Sequence, residues 1–158
     1  AEWEVLPADQ SFLVFDQRLD QVSTGPHWLK VEAVADYIAD TLRYGADSLR
    51  LYDLAAWVIM SNHVHILIQP HAPMARITKA IKNYSAREAN RILGRTGQPF
   101  WQNESYDRVV RNAKEFDEIL KYIEFNPVSA GLTDAPEGWR WSSAWARVGQ
   151  EADHTRKP

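Results

Sequence analysis

The stretch Arg50–Gln69, RLYDLAAWVIMSNHVHILIQ, predicts the centre of the fold. Its first part, Arg50–Met60, is rich in the apolar and β-branched residues that are typical of a strand. Ser61 and Asn62 favour a tight turn, and His63–Gln69 returns to a strand pattern. The stretch therefore predicts a β-hairpin, and the rest of the chain is interpreted around it.

Helical periodicity marks three further segments. Val31–Tyr44 predicts a helix that ends at Gly45, and Ala75–Leu93 predicts a second helix. A third helix is expected to begin after the N-cap residue Asn112 and to stop at Pro127. With the hairpin, these helices predict a mixed α and β fold.

Composition narrows the class of protein. The chain has 158 residues, 45% of them hydrophobic and 25% charged, which is typical of a soluble globular domain. No stretch approaches the roughly 18 apolar residues of a membrane span. Cysteine is absent, so disulfides and thiolate metal sites are excluded. We expect one domain over residues 1–150, a flexible tail over residues 151–158, and a cytoplasmic location.

The net charge of −3 conceals a split along the chain. Residues 1–53 carry ten acidic and four basic side chains, whereas residues 73–97 carry six basic side chains and one acidic one. Such a concentration of positive charge is what a local polyanion site requires, because only the contacting face must be positive. A solvated helix face is the alternative explanation.

His63 and His65 stand two residues apart on the second predicted strand. Residues at i and i+2 of a strand point to one face, so the two imidazoles are able to share a metal ion. The pair alone is a weak indication, because two surface histidines with ordinary hydrogen bonds give the same pattern. A third ligand is needed.

The helix after Asn112 offers that ligand. Tyr122 and Asn126 are four residues apart and share one helix face. If that face opposes the histidines, Asn126 completes a ligand set and the Tyr122 hydroxyl lies beside a metal-activated electrophile. The alternative is that Tyr122 packs in the core and Asn126 caps the helix before Pro127.

Four stretches in order resemble a known family. The stretch AWVIMSNHVH (56–65) resembles the His-hydrophobic-His signature of single-tyrosine transposases. The stretches FWQNESYD (100–107), YIEFNPVSAGL (122–132) and WRWSSA (139–144) resemble one bacterial branch, the REP-associated tyrosine transposases. The resemblance runs from about residue 28 to residue 144.

This resemblance implies a ferredoxin-like α+β fold, with an antiparallel sheet and helices packed on one face. It also implies a DNA strand transesterase that cleaves and rejoins single-stranded DNA hairpins at REP-like palindromes. Carried over by position, Tyr122 is the nucleophile, and His63, His65 and Asn126 hold Mg²⁺ or Mn²⁺. A divalent ion would offset the charge by which a phosphodiester repels an incoming oxyanion, and the tyrosine would form a covalent 5′-phosphotyrosine.

The family normally begins with an apolar strand just before the first helix. Ala1–Gln10 contains no convincing candidate, so either Ala1–Leu6 is a degenerate strand or the first strand is truncated. The next segment, Ser11–Leu19, is ambiguous, because its aromatic spacing suits a helix while the run Phe12–Phe15 suits a strand.

Several residues are assigned to DNA contact. Basic side chains on the second helix and before the third are expected to touch phosphates: Arg76, Lys79, Lys82, Arg87, Arg91, Arg108 and Arg111. Trp101, Trp139 and Trp141 are candidates for base stacking, although core packing is the favoured interpretation. Tyr106 is a rival nucleophile that lacks an amide or carboxylate one helical turn away.

Two other functions remain open at this stage. A hairpin-binding protein derived from such a transposase would bind the same DNA without cutting it. A metallohydrolase of small phosphoesters would use His63 and His65 and ignore DNA. We expect no membrane association and no protein partner, and we favour a monomer over a dimer.

Overall fold

The computed structural model describes residues 12–18, 27–103 and 105–154. Within these ranges, no helix is long and apolar enough to cross a membrane. Short 3-10 turns lie at Trp28–Lys30 and Pro136–Gly138. The main elements in chain order are β1 Leu13–Arg18, α1 Glu32–Asp47, β2 Tyr52–Ile59, β3 His63–Pro70, α2 Met74–Ile92, β4 Tyr106–Val109, α3 Ala113–Ser129 and α4 Ser143–His154.

The four strands form one antiparallel sheet in the order β2-β3-β1-β4. The β2–β3 hairpin is confirmed, with Ile59 paired to Val64 next to the turn. The chain order β-α-β-β-α-β with β1 and β3 at the centre is the ferredoxin-like arrangement. The predicted α+β fold class is confirmed.

The first strand is present, and the expectation of a truncated one is wrong. Leu13–Arg18 is β1, which pairs with β3 on one side and with β4 on the other. Alternation explains it: Leu13 and Phe15 are buried in the core shared with α1 and α2, while Val14 and Asp16 face the opposite side. The proposed degenerate strand at Ala1–Leu6 lies outside the described residues.

Helices cover both faces of the sheet, which differs from the predicted single-face packing. One core lies between the sheet and α1 with α2, and includes Phe15, Ile66 and Ile77. A smaller core on the other face includes Leu67, Ile119 and Ile123, and it is closed by α3. The face that carries the two histidines is therefore covered by α3.

Two predicted helix ends lie inside helices. Gly45 is within α1, which continues to Asp47. Pro127 is within the last turns of α3, which ends at Ser129. The backbone N–H groups of Ala130 and Leu132 donate to the Asn126 and Pro127 carbonyls, at 3.0 and 2.9 Å, so the end of the helix is satisfied without a stop at proline.

The segment after α3 closes the outer edge of β2. The Ile59 amide donates to the Trp141 carbonyl at 2.9 Å, and the Trp57 amide donates to the Ser143 hydroxyl at 3.1 Å. The Trp139 indole donates to the Ile59 carbonyl at 3.0 Å. This segment thus protects an edge that would otherwise present unpaired backbone groups.

The three tryptophans considered for base stacking are used in packing. Trp101 is buried and donates to Ser85 at 2.8 Å, while Trp141 donates to Asp36 at 2.9 Å.

The last helix, α4, continues to His154, four residues past the predicted boundary at residue 150. The single-domain organisation stays a prediction.

Candidate active site

A row of side chains crosses the sheet on the face covered by α3. In the pairing register, Asp16 of β1 stands opposite His65 of β3 and opposite Tyr106 of β4. Paired residues of an antiparallel sheet point to the same face, so these three side chains lie side by side. His63 joins them two residues along β3.

The two histidines face each other through the same ring atom. His63 Nε2 lies 3.0 Å from His65 Nε2. The other nitrogen of each ring meets an oxygen: His65 Nδ1 lies 2.5 Å from an Asp16 carboxylate oxygen, and His63 Nδ1 lies 2.7 Å from the Asn62 side-chain oxygen. Since carboxylate and amide oxygens accept hydrogen bonds, both Nδ1 atoms donate.

This pattern fixes where the lone pairs are. A neutral imidazole that donates from Nδ1 carries its lone pair on Nε2, so two lone pairs point at one spot. They repel each other unless a cation or a proton lies between them, and the distance of 3.0 Å is also that of a hydrogen bond through one shared proton. Imidazole Nε2 atoms whose Nδ1 is held by an oxygen are a common form of metal ligand, so the residues fit a divalent cation.

Tyr122 stands over these histidines on α3. Its ring centroid lies 5.8 Å from that of His65, and its side chain is 62% exposed. Ile119 and Ile123 are buried on the same helix and hold it against the sheet. The core alternative for Tyr122 is thereby wrong, because the ring is open to solvent beside the histidine pair.

The third predicted ligand, Asn126, is half-buried on the next turn of α3. Because α3 continues past Asn126 to Ser129, Asn126 is not the helix cap that the alternative interpretation expected before Pro127. Among the described residues, no group of three or more His, Cys, Asp or Glu side chains is placed to hold a metal ion. The role of Asn126 stays a prediction.

A cleft of about 380 Å³ opens between β4 and α3, and His65 of the histidine pair lies in its wall. It brings together two predicted site residues, His65 and Tyr122, and one predicted DNA contact, Arg108. Its full lining is Val14, Asp16, His65, Tyr106, Asp107, Arg108, Ile119, Tyr122 and Ile123. The cleft therefore combines polar groups at one part of its wall with an apolar floor.

One acidic residue joins the two walls of the cleft. The Glu115 carboxylate, in the first turn of α3, pairs with Arg108 of β4 and accepts from the Arg111 amide at 2.7 Å. These hydrogen bonds, with the charge of Arg108, lower the pKa of Glu115 to about 2. The Glu115 amide in turn donates to the Asn112 side chain at 2.9 Å, which confirms the predicted N-cap.

A second acidic residue holds α3 from behind. Glu124 is 7% exposed and lies 2.5 Å from Arg147 of α4. It also accepts from the Ser143 hydroxyl at 2.8 Å, and Ser143 contacts the backbone of Trp57. The helix that carries Tyr122 is thus anchored to α4 and β2.

The predicted DNA contacts fall into two groups. Arg108 lines the cleft, and Arg111 contacts Glu115, the same carboxylate that pairs with Arg108. The α2 residues Arg76, Lys79, Lys82, Arg87 and Arg91 belong to a helix that packs on the opposite face of the sheet.

The α2 cations differ in what already contacts them. Arg76, Lys79 and Arg87 are exposed. Arg91 pairs with Glu88, an arrangement that lowers the pKa of Glu88 and raises that of Arg91. The Lys82 ammonium donates to the Gln102 and Asn103 carbonyls at 2.7 Å, which supports the loop before β4.

Three important residues were missed by sequence reasoning. Asp16 lies in an acidic region where no local pattern distinguishes it, and its role depends on a strand 49 residues away. Asn62 was assigned only to the turn. Glu115 was predicted as part of the helix cap, but its contact with Arg108 needs the β4–α3 geometry.

Comparison with known proteins gives a family and a fold. Residues 26–126 match a family model described as "Transposase IS200 like". No curated protein matches the chain. The matched range contains His63, His65, Tyr122 and Asn126.

Two solved structures are similar in fold. A REP-associated tyrosine transposase bound to a REP hairpin superposes with a TM-score of 0.70 at 18% identity, over 96% of this chain and 87% of that chain. A protein from Deinococcus radiodurans R1 described as a transposase gives a TM-score of 0.52 at 24% identity, over 73% of this chain and 89% of that chain. At these identities the likeness concerns the fold.

Proposed function

Since this chain belongs to the IS200-like transposase family, we propose that it cleaves and rejoins single-stranded DNA at hairpin-forming, REP-like palindromes. The observation that carries the proposal is the exposed Tyr122 ring 5.8 Å from His65, whose Nε2 faces that of His63. The fold likeness to a protein bound to a REP hairpin supports the substrate class.

We assign His63, His65 and Asn126 as the residues that hold Mg²⁺ or Mn²⁺. When bound, the cation supplies positive charge to a non-bridging phosphate oxygen and lowers the barrier to attack. Asp16 and Asn62 orient the two imidazoles through their Nδ1 atoms. The ligand set is nitrogen and oxygen, which suits these hard or borderline cations.

Tyr122 is the nucleophile of the proposed reaction. Its Oη forms a bond to phosphorus as the bond from phosphorus to the 3′ oxygen breaks. The phenol proton is released, and the leaving 3′ oxygen takes up a proton to become a free 3′-OH. The product is a 5′-phosphotyrosine, and attack by a 3′-OH reverses the step and rejoins the strand without ATP.

The rest of the chain supplies the contacts to DNA. Arg108 in the cleft and Arg111, which shares its partner Glu115, would contact the foot of the hairpin, while the α2 cations Arg76, Lys79, Lys82, Arg87 and Arg91 would contact phosphates of the stem. We propose that the protein does this as a monomer in the cytoplasm. A missing first strand was one possible reason for the hairpin-binding alternative, and the presence of β1 removes that reason.

A denaturing gel tests the reaction. Labelled hairpin oligonucleotides from palindromic repeats near the gene are incubated with protein and Mg²⁺, Mn²⁺ or chelator. We expect a metal-dependent covalent band that disappears in Tyr122→Phe and persists in Tyr84→Phe, an exposed tyrosine on α2. An adduct that survives Tyr122→Phe would overturn the nucleophile assignment, and hairpin binding without any adduct would favour the binding-only function.

A further inference from the structure

The cleft contains more than the proposed transesterification uses. That chemistry needs the histidine pair, a cation and the Tyr122 hydroxyl. The same cleft also has an apolar floor, where the half-buried Val14 lies next to the buried Ile119 and Ile123, and a second tyrosine, Tyr106. Ile119 and Ile123 already hold α3 on the sheet, so the exposed ring of Tyr106 is the part of the cleft that the reaction leaves without a role.

Tyr106 is placed to act as a flat wall of this cleft. It lies on β4 opposite Asp16, so its ring projects toward the face that carries His65 and Tyr122. Its side chain is 59% exposed, and within the described ranges it makes no ring contact and no hydrogen bond with the protein. Exposing a large aromatic ring costs hydration free energy that a stacked ligand recovers.

An ion pair connects the two walls of the cleft. Tyr106 and Arg108 lie on β4, while Tyr122 lies on α3, and the Arg108–Glu115 ion pair connects the two elements. Because Glu115 already offsets the charge of Arg108, that arginine contributes less as a free phosphate contact. The base contact at Tyr106 therefore rests on stacking rather than on Arg108.

We infer that the cleft binds one unpaired nucleobase next to the scissile phosphate, stacked on Tyr106 beside the half-buried Val14. This inference rests on the proposed function, because it places the base beside the attacking Tyr122. Aromatic rings bind bases of any sequence through their faces, and an apolar floor favours a base that has left the DNA stack. Tyr106 is thus a substrate-positioning residue, and the rival assignment of Tyr106 as nucleophile is replaced.

The test combines variants of Tyr106 with abasic DNA. Affinity for the hairpin with its single-stranded foot is measured by fluorescence anisotropy in chelator, so no cleavage occurs. Losing one stacked base weakens binding roughly 5- to 150-fold, so Tyr106→Ala should show a loss of that order while Tyr106→Phe stays within about twofold. Tyr44→Ala, which removes an exposed tyrosine from α1, is the matched control and should bind as the parent does.

Abasic substitutions, moved one nucleotide at a time along the foot, identify the base. One position should weaken binding to the parent protein as much as Tyr106→Ala does, and it should cost the Tyr106→Ala protein nothing further. Losses that multiply at every position, or equal losses in Tyr106→Phe and Tyr106→Ala, would overturn the inference.

The adduct assay separates this inference from the proposed function. Tyr106→Phe should form the covalent adduct at the parent rate, and a lost adduct would make Tyr106 the nucleophile and overturn the stacking role. If the parent forms no adduct while the abasic pattern is found, the base subsite stands and the transesterase proposal fails.

Discussion

At the level of single residues, the most informative contact is the one between Asp16 and His65. The carboxylate oxygen 2.5 Å from Nδ1 keeps the proton on that nitrogen and leaves the lone pair on Nε2. Asn62 does the same for His63 at 2.7 Å. Without these two acceptors, either ring is able to place its proton in the space where a cation is expected.

Asp16→Asn should weaken metal binding. An amide holds the imidazole less strongly than a carboxylate, and the loss of such a support typically costs about 10- to 100-fold in metal affinity. Mn²⁺ titration followed by electron paramagnetic resonance measures the effect directly. Asp117→Asn, an exposed carboxylate on α3, is the control, and equal affinity in both variants would show that Asp16 does not support the site.

Glu115 predicts a pH-dependent stability. Its pKa is lowered to about 2 in the folded protein, against about 4.3 for an ordinary glutamate. A lowered carboxyl pKa stabilises the fold above the unfolded value, and that stabilisation is lost as the pH falls toward 2. Glu115→Gln should therefore melt below the parent at pH 7, with a difference that narrows below about pH 4.3.

Thermal melting by circular dichroism at pH 7, 4 and 2 measures this difference. Glu118→Gln provides the control, because Glu118 is largely exposed and only pairs with Lys114 at 3.8 Å. A gap between parent and Glu115→Gln that stays the same at all three pH values would mean that the charge of Glu115 is not what stabilises the β4–α3 contact.

At the level of the elements, α1 shows how a glycine is used inside a helix. Gly45 lies where the buried Tyr52 ring passes, and a β-carbon there would stand 2.8 Å from Tyr52 Cζ. The Tyr52 hydroxyl donates to the Leu42 carbonyl at 2.8 Å, so the ring is held in place. The sequence predicts that Gly45 ends the helix. In the structure Gly45 instead leaves room for the side chain of Tyr52, the first residue of β2.

Gly45→Ala should destabilise the protein by roughly 1–3 kcal/mol, since the added methyl group overpacks the core. Helix propensity alone would favour alanine by about 1 kcal/mol. Gly149→Ala in α4 is the matched control, because nothing lies within 4 Å of the added carbon there, and it should gain stability. Urea unfolding compares the two variants, and a Gly45→Ala protein as stable as the parent would show that Tyr52 moves aside freely.

The elements also show which parts of the fold are predictable from sequence. The β2–β3 hairpin and the Asn112 cap were predicted correctly, because the residues that determine them are neighbours along the chain. The strand β1 remained ambiguous, because Phe12–Phe15 allows both a helical and an extended pattern, and pairing with β3 and β4 decides between them. Pro127 does not end α3 as predicted, because backbone N–H groups after it, those of Ala130 and Leu132, satisfy carbonyl groups of the last turn.

The candidate site was predictable only in part. His63, His65 and Tyr122 were located by spacing and by family resemblance, and the structure brings them together. Asp16 was missed because a single carboxylate in an acidic region carries no local signal. Its importance arises from strand register, which local sequence does not encode.

At the level of the whole molecule, the positive charge and the cleft lie on different faces of the sheet. The basic helix α2 packs against the core on one side, and α3 with Tyr122 packs on the other. A hairpin that contacts both must run around the edge of the sheet. The stem and the single-stranded foot are therefore expected to make separate, additive contacts.

Replacing Arg76 and Lys79 with alanine should weaken hairpin binding without changing adduct yield at saturating DNA. Each lost phosphate contact lowers the slope of log affinity against log salt by about 1. A salt titration of binding measures the slope, and Lys30→Ala with Arg50→Ala removes the same charge outside α2 as a control. An unchanged slope for the Arg76 and Lys79 variant would remove α2 from the DNA path.

The closure of β2 by residues 139–143 also determines what the growing chain exposes during synthesis. The Ser143 hydroxyl accepts a hydrogen bond from the Trp57 amide, and Ser143 is synthesised 86 residues after Trp57. At roughly 5–20 residues per second, the edge of β2 stays open on the ribosome for about 4–17 seconds after Trp57 is made. The yield of correctly folded protein is therefore expected to depend on translation speed and temperature more than the stability of the finished fold would indicate.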